Sequence, residues 1–398
     1  MPLIAYLWIA FALNYTDRQM VYSMFPALQA DLGFAPAQLG LIGAIFLWVY
    51  TLGMPIAGRM ADLWRRDRLI LSSLILWSIA TLGCGIATST TAFLAWRAIM
   101  GLTEALYYPA ALALIAASYP DAARSRALGI HQSAQLIGVI IGGWYGGWAA
   151  DHVGWRTAFW VAAAAGIAYS AVLARGLKNN SRPQPSRSDP GNLSALLRSN
   201  IFLALCAAFA AFCAIQWIFF AWFPTFLQER FQLSMTDSGW NATVFVQGST
   251  ILGIFLGSIL ADHFRKSNPQ ARLYVTALGA FVGSPFAYLT FASDTLLQAR
   301  CASAAFGLFA GFLATNVFSA AYDVVPTNQR GLAGGVLNMA GGLSSGAMIY
   351  MAGIWKQTIG FSAMVQVMMI ASLVFSAILF ATAARPLPSS QESVPDFQ

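Results

Sequence analysis

The chain has 398 residues, 58% of them apolar and only 9% charged, where soluble domains carry about one quarter charged residues. With a mean hydropathy of +0.63, that composition excludes a soluble enzyme and points to a chain that crosses a membrane many times. The formal net charge of +7 would suit a nucleic-acid binder, but the placement of the basic residues argues against one.

A spanning helix takes roughly 20 apolar residues, and twelve such stretches are predicted. The first six lie near 3–28, 37–58, 69–88, 92–117, 127–149 and 157–175; the last six lie near 200–227, 238–261, 272–291, 295–321, 331–353 and 362–383. The first stretch carries Asp17 and Arg18 near its middle, and no small-residue cleavage site follows it, so it is read as a retained helix. The fourth carries Arg97 and Glu104. A charge at mid-bilayer costs a few kcal/mol on insertion scales, so such residues mark a solute or ion path.

Residues 177–199, rich in Ser, Pro, Asn and Arg, are expected as a cytoplasmic loop between two bundles, 1–176 and 200–384. Residues 385–398 are expected as a disordered cytoplasmic tail. The fold class is therefore all-α: a membrane protein of twelve helices in two pseudo-symmetric six-helix bundles.

Placing both termini in the cytoplasm puts 16 of the 22 basic residues in inner loops and the tail, among them Arg59, Arg65, Arg66, Arg68, Arg124 and Arg126. The positive surplus is thus a topology signal, and no nucleic-acid partner is expected. The halves also repeat. Asp62 and Asp262 are 200 residues apart, Arg97 and Arg300 are 203 apart, and Arg126 and Arg330 are 204 apart. A slowly drifting offset is what a duplicated six-helix unit gives, and parallel repeats of this kind place their site between the halves near the midplane.

Several motifs carry a resemblance. Gly58-Arg59-Met60-Ala61-Asp62 with Arg65-Arg66-Asp67-Arg68 follows the second span. A weaker copy, Gly257 to Asp262 with Arg265-Lys266, follows the eighth, and Arg97 and Gly101 mark the fourth. Over nearly its whole length the chain resembles the major facilitator superfamily, although Leu63 and Arg65 stand where a basic residue and a glycine are usual. Asn14-Tyr15-Thr16-Asp17-Arg18, Glu104-Ala105 with Pro109, Trp222 through Leu227, and Asn338 with Gly341-Gly342 are similar to the anion:cation symporters. That group includes sialin, vesicular glutamate carriers and bacterial hexuronate, glucarate and galactonate transporters. The resemblance implies that Arg18 binds a substrate carboxylate and that Asp17 and Glu104 are proton-coupling residues. Spinster-type lysolipid and sphingolipid carriers share the first-span and fourth-span pieces and form an alternative; a non-transporting receptor or sensor is a second.

The residues support the carrier reading independently. Asp17, Glu104, Arg18 and Arg97 sum to zero when ionised, the tolerable arrangement in low dielectric. A bound monocarboxylate makes the sum −1, and one proton on Asp17 or Glu104 restores zero. Proton-coupled symport of a small organic anion follows. Arg97 lies seven residues before Glu104, about 10 Å along the helix, so each is expected to find its partner on another helix; whether Arg97 binds substrate or only pairs with an acid stays open.

Tyr15, Tyr107, Gln135 and Asn338 are further expected substrate contacts. Asp62, with Arg66, and Asp262 are expected gates, each acid meeting a helix N-terminus whose dipole attracts it. His131 reads as an interfacial histidine and Arg300 as an arginine reaching the membrane surface. Gly138, Gly142, Gly143, Gly146 and Gly147 are expected to let the fifth span approach a neighbour closely. The cysteines Cys84, Cys206, Cys213 and Cys301 read as packing residues. No catalytic residues, metal or other cofactor are expected. The protein is expected as a monomer in the lipid bilayer of a cell inner membrane, with a small organic anion and protons as its cargo.

Overall fold

The computed structural model describes residues 3–177, 193–326 and 329–384, and among these the chain forms helices and no strands. The first bundle holds α1 (Leu3–Ser23), α2 (Phe25–Leu32), α3 (Pro36–Leu63), α4 (Arg66–Ile86), α5 (Thr90–Ala105), α6 (Tyr107–Ser118), α7 (Asp121–His152) and α8 (Trp155–Gly176). After α9 (Leu193–Leu197), the second bundle holds α10 (Asn200–Phe231), α11 (Met235–Arg265), α12 (Ala271–Phe291), α13 (Leu296–Val324), α14 (Arg330–Trp355) and α15 (Gly360–Ala383). Most of the expected linker and all of the expected tail lie outside the described residues. The described end of the linker contains α9, where a loop was expected; Leu196 is buried there, which gives a polar segment one apolar anchor.

Among the described residues, ten helices are long and apolar enough to cross a membrane, with α5 and α6 counted as one span. The other two of the twelve spans are α1 and α7. They are the more polar because they face protein: α1 packs along α7, and α7 packs on α11 of the other bundle. α1 buries Asn14, Asp17, Arg18 and Gln19, groups that lipid would not tolerate.

Two glycine rows explain how α7 lies against both partners at once. Side chains at Gly138, Gly142 and Gly146 would run into the backbone of Ala12, Thr16 and Met20 on α1, and side chains at Gly143 and Gly147 would strike Gly239 and Met235 on α11. The expected close approach is therefore double, one row for each neighbour.

The bundles meet through α3 with α14, α7 with α11, and α1 with α10. These contacts lie in the half far from the termini. Gln19 donates to the Phe220 carbonyl at 2.9 Å, Trp48 donates to the Leu343 carbonyl at 3.3 Å, and Gly353 abuts Pro36. At the end that holds both termini, Gln132 bonds Tyr108 and Arg272 bonds Asp323, each inside its own bundle. A Cβ at Gly129, Gly331 or Gly335 would meet nothing within 4 Å. The structure is thus closed at the far end and open towards the termini.

Candidate functional site

The first and fourth spans bring opposite charges together. Arg18 Nε donates to Glu104 Oε2 at 2.5 Å, with the two side chains 4% and 0% exposed. The guanidinium lies over three rings, 4.3 Å from Tyr50, 4.7 Å from Tyr15 and 5.0 Å from Phe46. A cation held against ring faces is attracted by their quadrupoles. Nε is spent on Glu104 and the guanidinium also meets the Tyr50 side chain, so its terminal nitrogens, which suit a planar carboxylate, lie beside the half-buried Tyr15 and Tyr50. Phe46 and Tyr50 were not foreseen; their spacing of four places them on one face of α3.

Asp17, one residue earlier, points elsewhere. It faces α4, where Thr81 Oγ1 donates to its Oδ2 at 3.4 Å. Neighbours on a helix are rotated by about 100°, so the adjacent charges serve different interfaces. Asn14 lies beside Glu104, while Glu104 Oε1 has no hydrogen-bond partner and is buried.

Arg97 sits two turns farther from the termini and is fully buried. Its Nε faces the Ile42 carbonyl at 3.5 Å, one terminal nitrogen meets Met100 Sδ, and Phe46 lies 4.8 Å from its centre. No ion pair of Arg97 occurs among the described residues, so the partner acid expected for it is not in contact. Arg300 repeats this arrangement in the second bundle, 5.5 Å from Phe245, and Phe245 stands 199 residues after Phe46. It donates to Asn241 at 2.7 Å and is half-buried near the start of α13.

The fourth span is interrupted at Leu106, two residues after Glu104. Pro109 has no N–H, so the Ala105 carbonyl lacks its helix partner; Leu106 keeps helical angles, and α6 resumes at Tyr107. Tyr107, the first residue of α6, points into the first bundle. It is buried, donates to the Leu7 carbonyl at 2.7 Å and lies 3.2 Å from His131 Nε2, so its hydroxyl is already occupied. His131 is a fully buried core residue stacked on Phe11, not an interfacial one. Tyr108 faces the opening instead, bonded to the exposed Gln132.

Gln135 is half-buried on α7, and Asn338 is exposed on α14 and bonded to the Gly334 carbonyl. Asn338 lies one turn from Gly342, which packs on Thr51 of the first bundle, so it sits on the face turned to the other bundle. Asp62 is exposed, and Arg66 donates to the Ala61 and Ala113 carbonyls. Asp262 is 71% exposed and 3.7 Å from Arg272 of its own bundle. Cys301 is exposed, unlike the other three cysteines.

A family model described as Major Facilitator Superfamily matches residues 7–349. The chain belongs to that family. As a major facilitator protein it is a multi-pass membrane transporter and not an enzyme. It is 24% identical over 380 residues to the probable galactarate/D-glucarate transporter GudP of Escherichia coli, covering 86% of this chain and 84% of that one. It is 23% identical over 389 residues to a D-galactonate transporter of Escherichia coli, covering 89% of each. Protein spinster homolog 1 of Xenopus tropicalis is 26% identical over 314 residues, covering 73% of this chain and 60% of that one. Among solved structures, a bacterial homolog to the human lysosomal transporter Spinster, inward-facing and unoccupied, superposes with a TM-score of 0.78 at 19% identity over 96% of each chain.

Proposed function

We propose that this major facilitator protein carries a small organic anion, a sugar acid or short carboxylate, together with protons, by alternating access. The supporting observation is the Arg18–Glu104 contact: one buried arginine, caged by Tyr15, Tyr50 and Phe46, held by one carboxylate through one nitrogen. A substrate carboxylate takes the terminal nitrogens of Arg18, displacing the Tyr50 side chain from them. Its charge is offset when Glu104 or Asp17 binds a proton, so the buried sum returns to zero. Tyr15, Gln135 and Asn338 meet the hydroxyls and far end of the substrate, and Arg97 supplies a second positive field from the far side. The longer coverage of the sugar-acid carriers favours this cargo over a lipid.

In this reading the termini lie in the cytoplasm of a cell inner membrane, the monomer transports, and the structure is open inward. Asp62, helped by Arg66, and Asp262 then close the inner side in the opposite form, reaching the N-termini of α14 and α7, which attract carboxylates. The test is a thermal-shift screen of organic acids and lysolipids against wild type and Arg18→Ala. Organic acids that stabilise wild type and not the variant are expected. Equal stabilisation of both removes Arg18 as the anion clamp, and stabilisation by lysolipids alone transfers the assignment to the lipid carriers.

A further inference from the structure

The far-end closure contains a carboxylate that works only while the bundles are together. Three N–H groups open α11: those of Met235, Thr236 and Asp237. None has an acceptor within the helix itself. Ser234, the residue before α11, caps Asp237 N at 3.0 Å. The other two are served from the first bundle: Asp151, in the last turn of α7, accepts from Met235 N at 3.3 Å and from Thr236 N at 2.8 Å. The Thr236 hydroxyl adds a third bond at 2.6 Å. The same stretch of α11 is where Gly147 presses on Met235, so backbone contact and carboxylate coincide.

We propose that Asp151 is the far-side latch of the transport cycle, a positioning residue whose charge selects the form open towards the termini. Separation of α7 from α11 at this end leaves the Met235 and Thr236 donors to water and removes the carboxylate from the positive end of the α11 dipole. Asp151 therefore stabilises one of the two forms and not the other, which is what a residue must do to shift their ratio. Among the described residues, the other direct side-chain bonds across this closure, from Gln19 and Trp48, are made by neutral groups. The inference rests on alternating access and not on the identity of the cargo.

Hydrogen–deuterium exchange of the full chain in lipid nanodiscs, without substrate, tests it on wild type, Asp151→Asn and Asp151→Ala. The Ala variant is expected to exchange faster over 235–243 and, reciprocally, slower around Gln132 and Asn338, as the population moves by about fivefold, the worth of one helix cap. The Asn variant is expected to lie between. Faster exchange confined to 235–236, or no change at the end that holds the termini, overturns the latch and leaves only a local cap. Should the Ala variant not fold, the same comparison with Asp151→Asn and Thr236→Val decides. A negative result leaves the organic-anion reading untouched, because no substrate enters the measurement.

Discussion

Arg18 on α1 and Glu104 on α5, 86 residues apart in sequence, share a 2.5 Å contact that water barely reaches. Removing one member strands the other. Arg18→Ala is expected to lower stability by about 3–5 kcal/mol, the usual cost of an uncompensated buried charge. Adding Glu104→Ala is expected to restore most of it. Thermal unfolding of the single and double variants measures this; additive losses would mean that the two charges are not each other's main partners.

Glu104→Gln keeps the shape of the side chain and abolishes its proton chemistry. In liposomes it is expected to exchange labelled substrate across the membrane at a rate near wild type while failing to concentrate it under a pH gradient. Full accumulation by this variant would remove Glu104 from the proton path and leave Asp17 to carry it.

The glycine rows of α7 predict opposite outcomes for one substitution. Gly146→Ala drives a methyl group into the Met20 backbone and is expected to destabilise by about 1–3 kcal/mol. Gly129→Ala, on the same helix with nothing within 4 Å of the new Cβ, is expected to be neutral or to gain up to about 1 kcal/mol from the better helix former. Melting temperatures of the two variants side by side check the pair.

At the far end, Asp31 of α2 accepts from Arg156 of α8 and from Trp155 Nε1 at 3.1 Å. The Arg156 hydrogen bond holds this carboxyl below its ordinary value of 3.8. A value depressed on folding adds stability that is fully present above the unfolded-state value and fades as the pH falls through the folded one. The difference in melting temperature between wild type and Asp31→Asn is therefore expected to be constant from about pH 7 to 5 and to shrink below about pH 4. It is expected to be small, because the Asp31 side chain is 46% exposed and solvent screens the pair. A difference that grows on acidification would contradict this.

The charges of the site were legible in the sequence because charge inside an apolar stretch has few uses. Arg18 and Glu104 stand out in their spans, and depth alone brings them level. The direction of a side chain was less legible. Tyr107 and Tyr108 are neighbours with the same chemistry; one is buried against His131 and the other bonds the exposed Gln132, a split that the rotation of about 100° between helical neighbours produces but does not orient. Arg300 shows the same limit: its partner Asn241 lies on another helix, and that pairing exists only in three dimensions. Asp151 gave no signal at all. A carboxylate at the end of a span looks like any loop charge until the opposite bundle delivers a helix N-terminus to it. The two spans with the weakest apolar signal, α1 and α7, pack along each other, and α7 also packs on α11, so hydropathy fades where a span faces protein on more than one side.

The central claim is that Arg18 grips the carboxylate of the cargo with its paired terminal nitrogens. Calorimetric titration of a sugar acid such as D-galactonate into wild type and Arg18→Lys measures it most directly, since lysine keeps the charge and loses the two-pronged geometry. The affinity of the lysine variant is expected to be at least about tenfold weaker, the loss of one charge-assisted hydrogen bond. Equal affinity in the two proteins would contradict the account.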